Sequence, residues 1–411
     1  MLKQLSKNNY FLLLLILLIF IFGSYISLSR GSNLTDGDSH SILLSFLNML
    51  DFQTYTPSRG AYGHLIPEIF LGSIAYFFGV PLSNLVCFVF FFSSVYVLFI
   101  TFFKKNIFNF FLFLLLLCSN FYLFFENTNT IDYPIALFFF SCGLFYLKKE
   151  NFILASIFFA LTICSRANFC IFIYPLILLY FIHNKIFFIK FRSLLLIFSL
   201  TTFISLIFFI PVFYTNNFTL NFLNIPFITN SDTPGWYGGP AFELSALIPR
   251  FIFKIYKLIG SYSFFLIITI FMFNIKNLIN LKSINQKLIW AIIVLNLSFY
   301  ILVPTKLTII NPFIIFLYIL LFTHYKKNII YIMIILNFSS WFVSYDFLNI
   351  KYKNDDICEA REALSASFQF KVRPGDYLNY INHPSFAICY SQTFGRRTNN
   401  FLNNRPLRLP D

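Results

Sequence analysis

Residues 10–29 run without a single charged side chain, and that is the length an α-helix needs to cross the roughly 30 Å hydrocarbon core of a bilayer. The pattern recurs along the chain. Further apolar runs lie near 82–103, 107–125, 133–147, 152–165, 168–182, 194–214, 258–274, 288–303, 309–322 and 329–345, which makes about eleven. Charged residues are 11% of the 411, hydrophobic residues 58%, and the mean hydropathy is +0.75, values that exclude a water-soluble core of this length. The fold class this predicts is an all-α polytopic membrane protein. Lys3 and Lys7 precede the first run, and Gly23-Ser24-Tyr25-Ile26-Ser27 continues into apolar positions instead of ending in an A-x-A site, so it reads as an uncleaved span. The segment 65–78 is shorter, interrupted by Pro67-Glu68 and without basic flanks; it is read as an interfacial or re-entrant helix.

Orientation follows from the lysines and arginines, which stay on the cytoplasmic side of short loops. With the N-terminus inside and 65–78 not spanning, the inner loops hold Lys104-Lys105, Lys148-Lys149, Lys185 with Lys190 and Arg192, Lys276 with Lys282 and Lys287, and Lys326-Lys327. Every acid except Glu150 then falls outside. A spanning 65–78 would move Lys104-Lys105 out and Asp132 in, and the pattern would degrade. The chain thus divides into a membrane domain, 1–345, with a first outer loop at 30–81 and a large one at 215–257, and a polar exoplasmic appendage, 346–411. The C-terminus lies outside, and the Lys, Asn, Phe and Ile bias suits a bacterial cytoplasmic membrane. In the appendage Cys358 and Cys389 either pair, as an oxidising compartment allows, or remain thiols. The other five cysteines read as small apolar residues. The net charge of +14 is distributed by topology and the tail, so it implies no nucleic acid; the 62 phenylalanines suit lipid-facing helices.

Acids are scarce, 16 against 30 basic residues, so Asp36-Gly37-Asp38 in the first outer loop stands out. His40 follows, then Ile42, Leu43, Phe46, Leu47 and Leu50 at helical spacing, which predicts an amphipathic surface helix dipping into the membrane interface. A carboxylate there would take a proton from an attacking hydroxyl or amine, or the two would share a divalent cation; alternatively one of them caps the helix. Glu126 and Asp132 bracket a second outer turn, where Asp132 either supports the chemistry or caps the next helix. Arg166 sits between two apolar segments, where no topology rule asks for a cation. It needs an anion, either a lipid phosphate or a bridge to Asp132 or Asp38. Lys306 and Arg59 are further lone outward cations. Trp236 and Tyr237, beside glycines in the large outer loop, would stack on a sugar or anchor the loop at the interface.

One span, an outer loop with an acid pair and an amphipathic helix, then Pro57-Ser58-Arg59-Gly60 leading to Pro67-Glu68 and an apolar run ending in Gly79, resembles the GT-C glycosyltransferases, specifically their protein O-mannosyltransferase and aminoarabinose transferase branches. The resemblance extends through residues 127–132, the Arg166 turn, the large outer loop and Pro304-Thr305-Lys306 to Pro312, in topology more than in letters. It implies a multi-span enzyme taking a polyprenyl-phosphate sugar, with Asp38 as base, Asp36 assisting or holding a cation, and Arg166, Lys306 and Arg59 meeting the donor phosphate. His40, Glu68, Glu126 and Asp132 would support that site, and the acceptor would be a glycan, lipid or protein. The chain departs from the family in lacking an adjacent Asp-Glu pair and in carrying His64-Leu65-Ile66-Pro67-Glu68 where some branches have a Lys-Pro-Pro-Leu-like run. No Trp-Trp-Asp motif appears, which argues against an oligosaccharyltransferase. Two rivals are an O-antigen-type polymerase or ligase, and a transporter; the latter fits poorly with spans nearly free of ionisable groups and no two-half symmetry.

Overall fold

The computed structural model describes residues 7–29, 42, 45–46, 49–50, 64–104, 106–183, 190–215, 261–278, 283–302 and 311–339. Asp36, Asp38, His40, Arg59, Trp236, Tyr237, Lys306, Cys358 and Cys389 lie outside these residues, as does the appendage. Among the described residues every element is a helix and no strand occurs. Apolar runs dictate this, because in hydrocarbon each backbone N–H and C=O needs a partner within its own segment. The helices are α1 (Lys7–Ser29), α2 (Leu65–Phe78), α3 (Val80–Phe102), α4 (Ile107–Ser119), α5 (Phe121–Glu126), α6 (Tyr133–Lys148), α7 (Phe152–Ser165), α8 (Cys170–His183), α9 (Phe191–Thr215), α10 (Ser261–Leu278), α11 (Ile284–Leu302), α12 (Asn311–His324) and α13 (Lys327–Ser339). A 3-10 turn, Ala167–Phe169, links α7 to α8.

Three helices are long and apolar enough to cross a membrane among the described residues, over Asn9–Ser29, Val80–Phe102 and Phe191–Tyr214. The other apolar helices are shorter; α2, with 14 residues, rises about 21 Å, less than the ~30 Å hydrocarbon thickness. The run 107–125, read from sequence as one span, is two helices. Asn120 leaves helical geometry at ψ 110° and turns its side-chain oxygen onto the Leu123 N–H at 2.9 Å, capping α5. An asparagine that bonds its own local backbone competes with the helix ladder, and here it wins.

Buried amides hold the bundle where apolar packing alone gives no directional preference. The Asn120 amide donates to the Tyr318 hydroxyl of α12 at 3.1 Å. Asn337 of α13 donates to Ser119 Oγ at 3.1 Å and accepts from Ser263 Oγ of α10. All five of these side chains are buried, so the α4–α5 break is tied to three later helices by hydrogen bonds that hydrocarbon cannot replace. Helix α12 is the most enclosed element, with residues 311–321 all buried.

The ends of the helices sort by charge. At one end the Lys148 ammonium donates to the Thr101 carbonyl, Lys190 pairs with Glu150, and Lys327 sits 4.4 Å from the Phe108 ring. At the other end lie the starts of α2, α3 and α6 and the ends of α1, α5, α7 and α9, carrying Glu68, Glu126, Asp132 and Arg166. Contacts fix this grouping: Asn84 near the start of α3 donates to the carbonyl of Ser27 in α1, and Leu65 packs on Val212 of α9.

A few residues of the segment after α1 are anchored at that acidic end. Ile42, Ser45, Phe46, Met49 and Leu50 are helical. Of the residues on the apolar face read from sequence, Ile42 is buried with Leu71 of α2, Cys87 of α3 and Ile135 of α6, and Phe46 packs on α2, while Leu50 stays exposed; Leu43 and Leu47 lie outside the described residues. Gly72 permits this approach, since a Cβ there would lie 2.4 Å from Phe46 Cβ. Replacing Gly72 with Val should therefore destabilise the protein by about 1–3 kcal/mol, seen as a lower thermal midpoint in detergent. An unchanged midpoint would mean that Phe46 does not pack against α2.

Candidate functional site

The segment 127–132 is a loop by geometry and a core by burial: Asn127, Thr128, Asn129, Thr130, Ile131 and Asp132 are each at most 2% exposed. Irregular backbone so enclosed must find its hydrogen bonds inside the protein. It does so in two ways. Asn127 donates from Nδ2 to the Leu123 carbonyl at 2.6 Å, and Thr128 from its hydroxyl to the Phe125 carbonyl at 2.8 Å, extending the end of α5. Asn84 then reaches over from α3, its Oδ1 accepting both the Thr130 N–H at 2.8 Å and the Thr130 hydroxyl at 2.7 Å. The Cys87 thiol donates to the Ile131 carbonyl at 3.5 Å. The loop is thereby fixed, and Asp132 with it.

Asp132 stands at the cap position of α6 but makes no side-chain capping bond. Its Oδ2 instead takes the Nη1 of Arg166, as a buried ion pair between the start of α6 and the end of α7. Of the two anions considered from sequence for Arg166 within the protein, Asp132 is paired with it and Asp38 lies outside the described residues, while Asp132 makes no capping bond to α6. Arg166 also lies with its guanidinium carbon 3.9 Å from the centre of the Tyr133 ring, a cation–π stack. Its backbone is extended, at φ −157° and ψ 103°, where α7 gives way to the 3-10 turn.

His64 brings in α2. Its Nε2 is 3.6 Å from the same Asp132 Oδ2, an electrostatic neighbour rather than a hydrogen bond. Glu68, fully buried, accepts the His64 backbone N–H at 3.1 Å while its own N–H donates to the His64 carbonyl at 2.9 Å. That reciprocal pair starts α2 in the manner of a capping box and sets a carboxylate at the positive end of the helix. Glu126 ends α5, half-buried, at the entry to the fixed loop.

Four of the residues singled out from sequence are therefore described. Asp132 and Arg166 touch, Glu68 reaches them through His64, and Glu126 joins the loop that carries Asp132. Sequence reasoning passed over His64, Tyr133 and Asn84. Asn84 did carry a signal, being an amide inside an apolar run, where a polar side chain needs a partner. Tyr133 and His64 carried none beyond being next to an acid or to a predicted helix start.

The guanidinium is only partly used. Asp132 is its hydrogen-bond partner among the described residues, and Arg166 Nε is buried without one. A buried donor left so disfavours the fold by roughly 1–3 kcal/mol. Asn168 Oδ1, two residues on, and Asn311 Oδ1 at the start of α12 are also buried without a donor. Among the described residues no group of three or more His, Cys, Asp and Glu side chains could hold a metal; the Asp36 and Asp38 pair lies outside them.

Comparison with known proteins yields no match to any family model, curated sequence or solved structure.

The ion pair makes a thermodynamic prediction. Asp132→Asn leaves a buried guanidinium without its counter-charge and should destabilise by about 3–5 kcal/mol. Adding Arg166→Gln should restore much of that loss, so thermal midpoints of the two single variants and the double variant will not add. Additive midpoints would mean that the two charges are not coupled.

Proposed function

We propose that this chain is a membrane glycosyltransferase that moves a sugar from a polyprenyl-phosphate donor to a glycan, lipid or protein acceptor at the outer face of a bacterial cytoplasmic membrane. The observation that carries the reading is the gathering of Asp132, Arg166, His64 and Glu68 at one end of an apolar bundle, directly beside the anchor of the first loop. Ile42 packs on Ile135, three residues after Asp132. Asp38 precedes Ile42 by four residues, a chain reach of at most about 14 Å. That reach is compatible with a first-loop carboxylate acting near the buried cation, which is what transfer from a lipid phosphate requires.

In this reading Asp38 accepts the proton of the attacking hydroxyl or amine. The acceptor atom bonds to the anomeric carbon, the bond from that carbon to the phosphate oxygen breaks, and the electron pair leaves with the phosphate, which stays in the lipid. Asp36 assists or shares a divalent cation with Asp38. Arg166, Lys306 and Arg59 neutralise the departing phosphate, where fixed cations in a water-poor site act most strongly. Asp132 is committed to Arg166 and serves as its holder, not as the base. Trp236 and Tyr237 cover the acceptor.

The test is release of free lipid phosphate from a panel of polyprenyl-phosphate sugars by purified protein in lipid, wild type beside Asp38→Asn. Turnover in the wild type that falls about a hundredfold or more in the variant is expected. Turnover unchanged in Asp38→Asn would remove Asp38 as the base. No release from any donor by intact protein would turn the reading toward a polymerase acting on pyrophosphate lipids, or a transporter.

A further inference from the structure

We infer that Arg166 is an oxyanion receptor with one edge held by a carboxylate and a buried donor left unfilled on the other, and that Asp132 and Tyr133 are the positioning residues that make it so; this rests on the transferase reading for its biological ligand, not for its chemistry. A guanidinium has two kinds of edge. The side edge, Nε with Nη2, presents two parallel N–H groups and matches two oxygens of a phosphate. Nη1 lies on the far side of the group from Nε–H, so a carboxylate on Nη1 leaves that side edge whole.

Asp132 occupies Nη1. Nε is buried and has no hydrogen-bond partner among the described residues, although the Arg166 side chain is only 9% exposed. Folding that encloses a strong donor and leaves it empty points to a ligand atom that fills it. The other constraint is the face of the group. The guanidinium carbon lies over the Tyr133 ring, 3.9 Å from its centre, so the ring restrains the fork on that side while Asp132 restrains its in-plane rotation. Asp132 and Tyr133 are consecutive residues at the start of α6, and the loop before them is fixed by Asn84. The receptor is therefore preorganised by rigid backbone, and an incoming anion need not order the arginine. A lysine at this position would retain the charge but could not hold Asp132 and two phosphate oxygens at once.

The ligand class is a phosphate monoester or diester presenting two unesterified oxygens, from a lipid headgroup or from free phosphate. Two probes separate these sources: inorganic phosphate and a short-chain isoprenyl monophosphate, each titrated by phosphorus NMR and calorimetry onto protein in maltoside micelles, which contain no phosphate. Wild type is expected to bind the isoprenyl phosphate. The variant Arg166→Gln with Asp132→Asn, which keeps the buried pair polar and neutral, should bind at least tenfold more weakly with a similar thermal midpoint. Arg166→Lys should lose a comparable amount. Tyr133→Phe, which keeps the ring, should bind within twofold of wild type, whereas Tyr133→Leu should bind several-fold more weakly at a temperature well below its own, lowered midpoint. A merely structural tyrosine would show no such split. Equal binding of inorganic phosphate would make the headgroup alone sufficient, and binding of the isoprenyl compound only would add the chain; both support the receptor. Wild-type affinity in the double variant, or no binding of either probe by wild type, would overturn it. Loss of binding in the Arg166 variants without sugar transfer from any donor would keep the receptor and remove the transferase reading. Sugar transfer with binding indifferent to Arg166 would do the reverse.

Discussion

An arginine taken out of water needs an anion at hand, and in this bundle that requirement joins the end of α7 to the start of α6. The Arg166 and Asp132 pair is enclosed on both sides, so neither charge is solvated and each depends on the other. Much of the acidic end follows from that dependence. Asp132 has to be held where Arg166 can reach it, which requires the preceding loop to be fixed. Asn84 fixes the loop from α3, and through the Ser27 carbonyl it ties α1 to the same point. His64 brings the start of α2 beside the same carboxylate. Three helix ends, those of α2, α6 and α7, thus meet around a single carboxylate, with α3 and α1 tied to the loop that carries it.

The interior shows the same economy with uncharged groups. Hydrocarbon supplies no hydrogen bonds, so each amide inside an apolar run selects its neighbours. Asn120 breaks one predicted span in two and binds Tyr318, and Asn337 gathers Ser119 and Ser263. These bonds give direction to packing that phenylalanine and leucine alone would leave degenerate. They also explain why α5 points its end at the site: the bend at Asn120 redirects the chain, and α5 delivers Glu126 and the fixed loop.

Function, in this view, grows out of an imbalance in satisfaction. The loop around Thr130 leaves little unmade, whereas Arg166, a few ångströms away, keeps a buried donor without a partner among the described residues. Buried groups in folded chains are mostly bonded; several atoms among the described residues are not, and Arg166 Nε is the one carried by a cation, which is why the proposed ligand is set there. The residues Ile42 and Phe46 pack beside the same region, Ile42 with Ile135 of α6 and Phe46 against Gly72 of α2.

Sequence alone determined the all-helical class of the described residues, because the need to satisfy backbone groups in hydrocarbon favours a helix for each apolar run, but it missed the break at Asn120. It also determined that charges divide between the two ends, since lysines and acids are placed loop by loop. Other features were beyond it. That Arg166 meets Asp132 is a contact between residues 34 apart in the chain, and local pattern has no access to such a pairing. That Phe46 packs on α2 depends on a missing Cβ at Gly72, a steric fact that exists only once the two segments approach. That Tyr133 becomes a platform and His64 a neighbour of Asp132 follows from how three helix ends converge. Local periodicity settles what each segment is; only packing, which acts between segments distant in sequence, decides which side chains share a site.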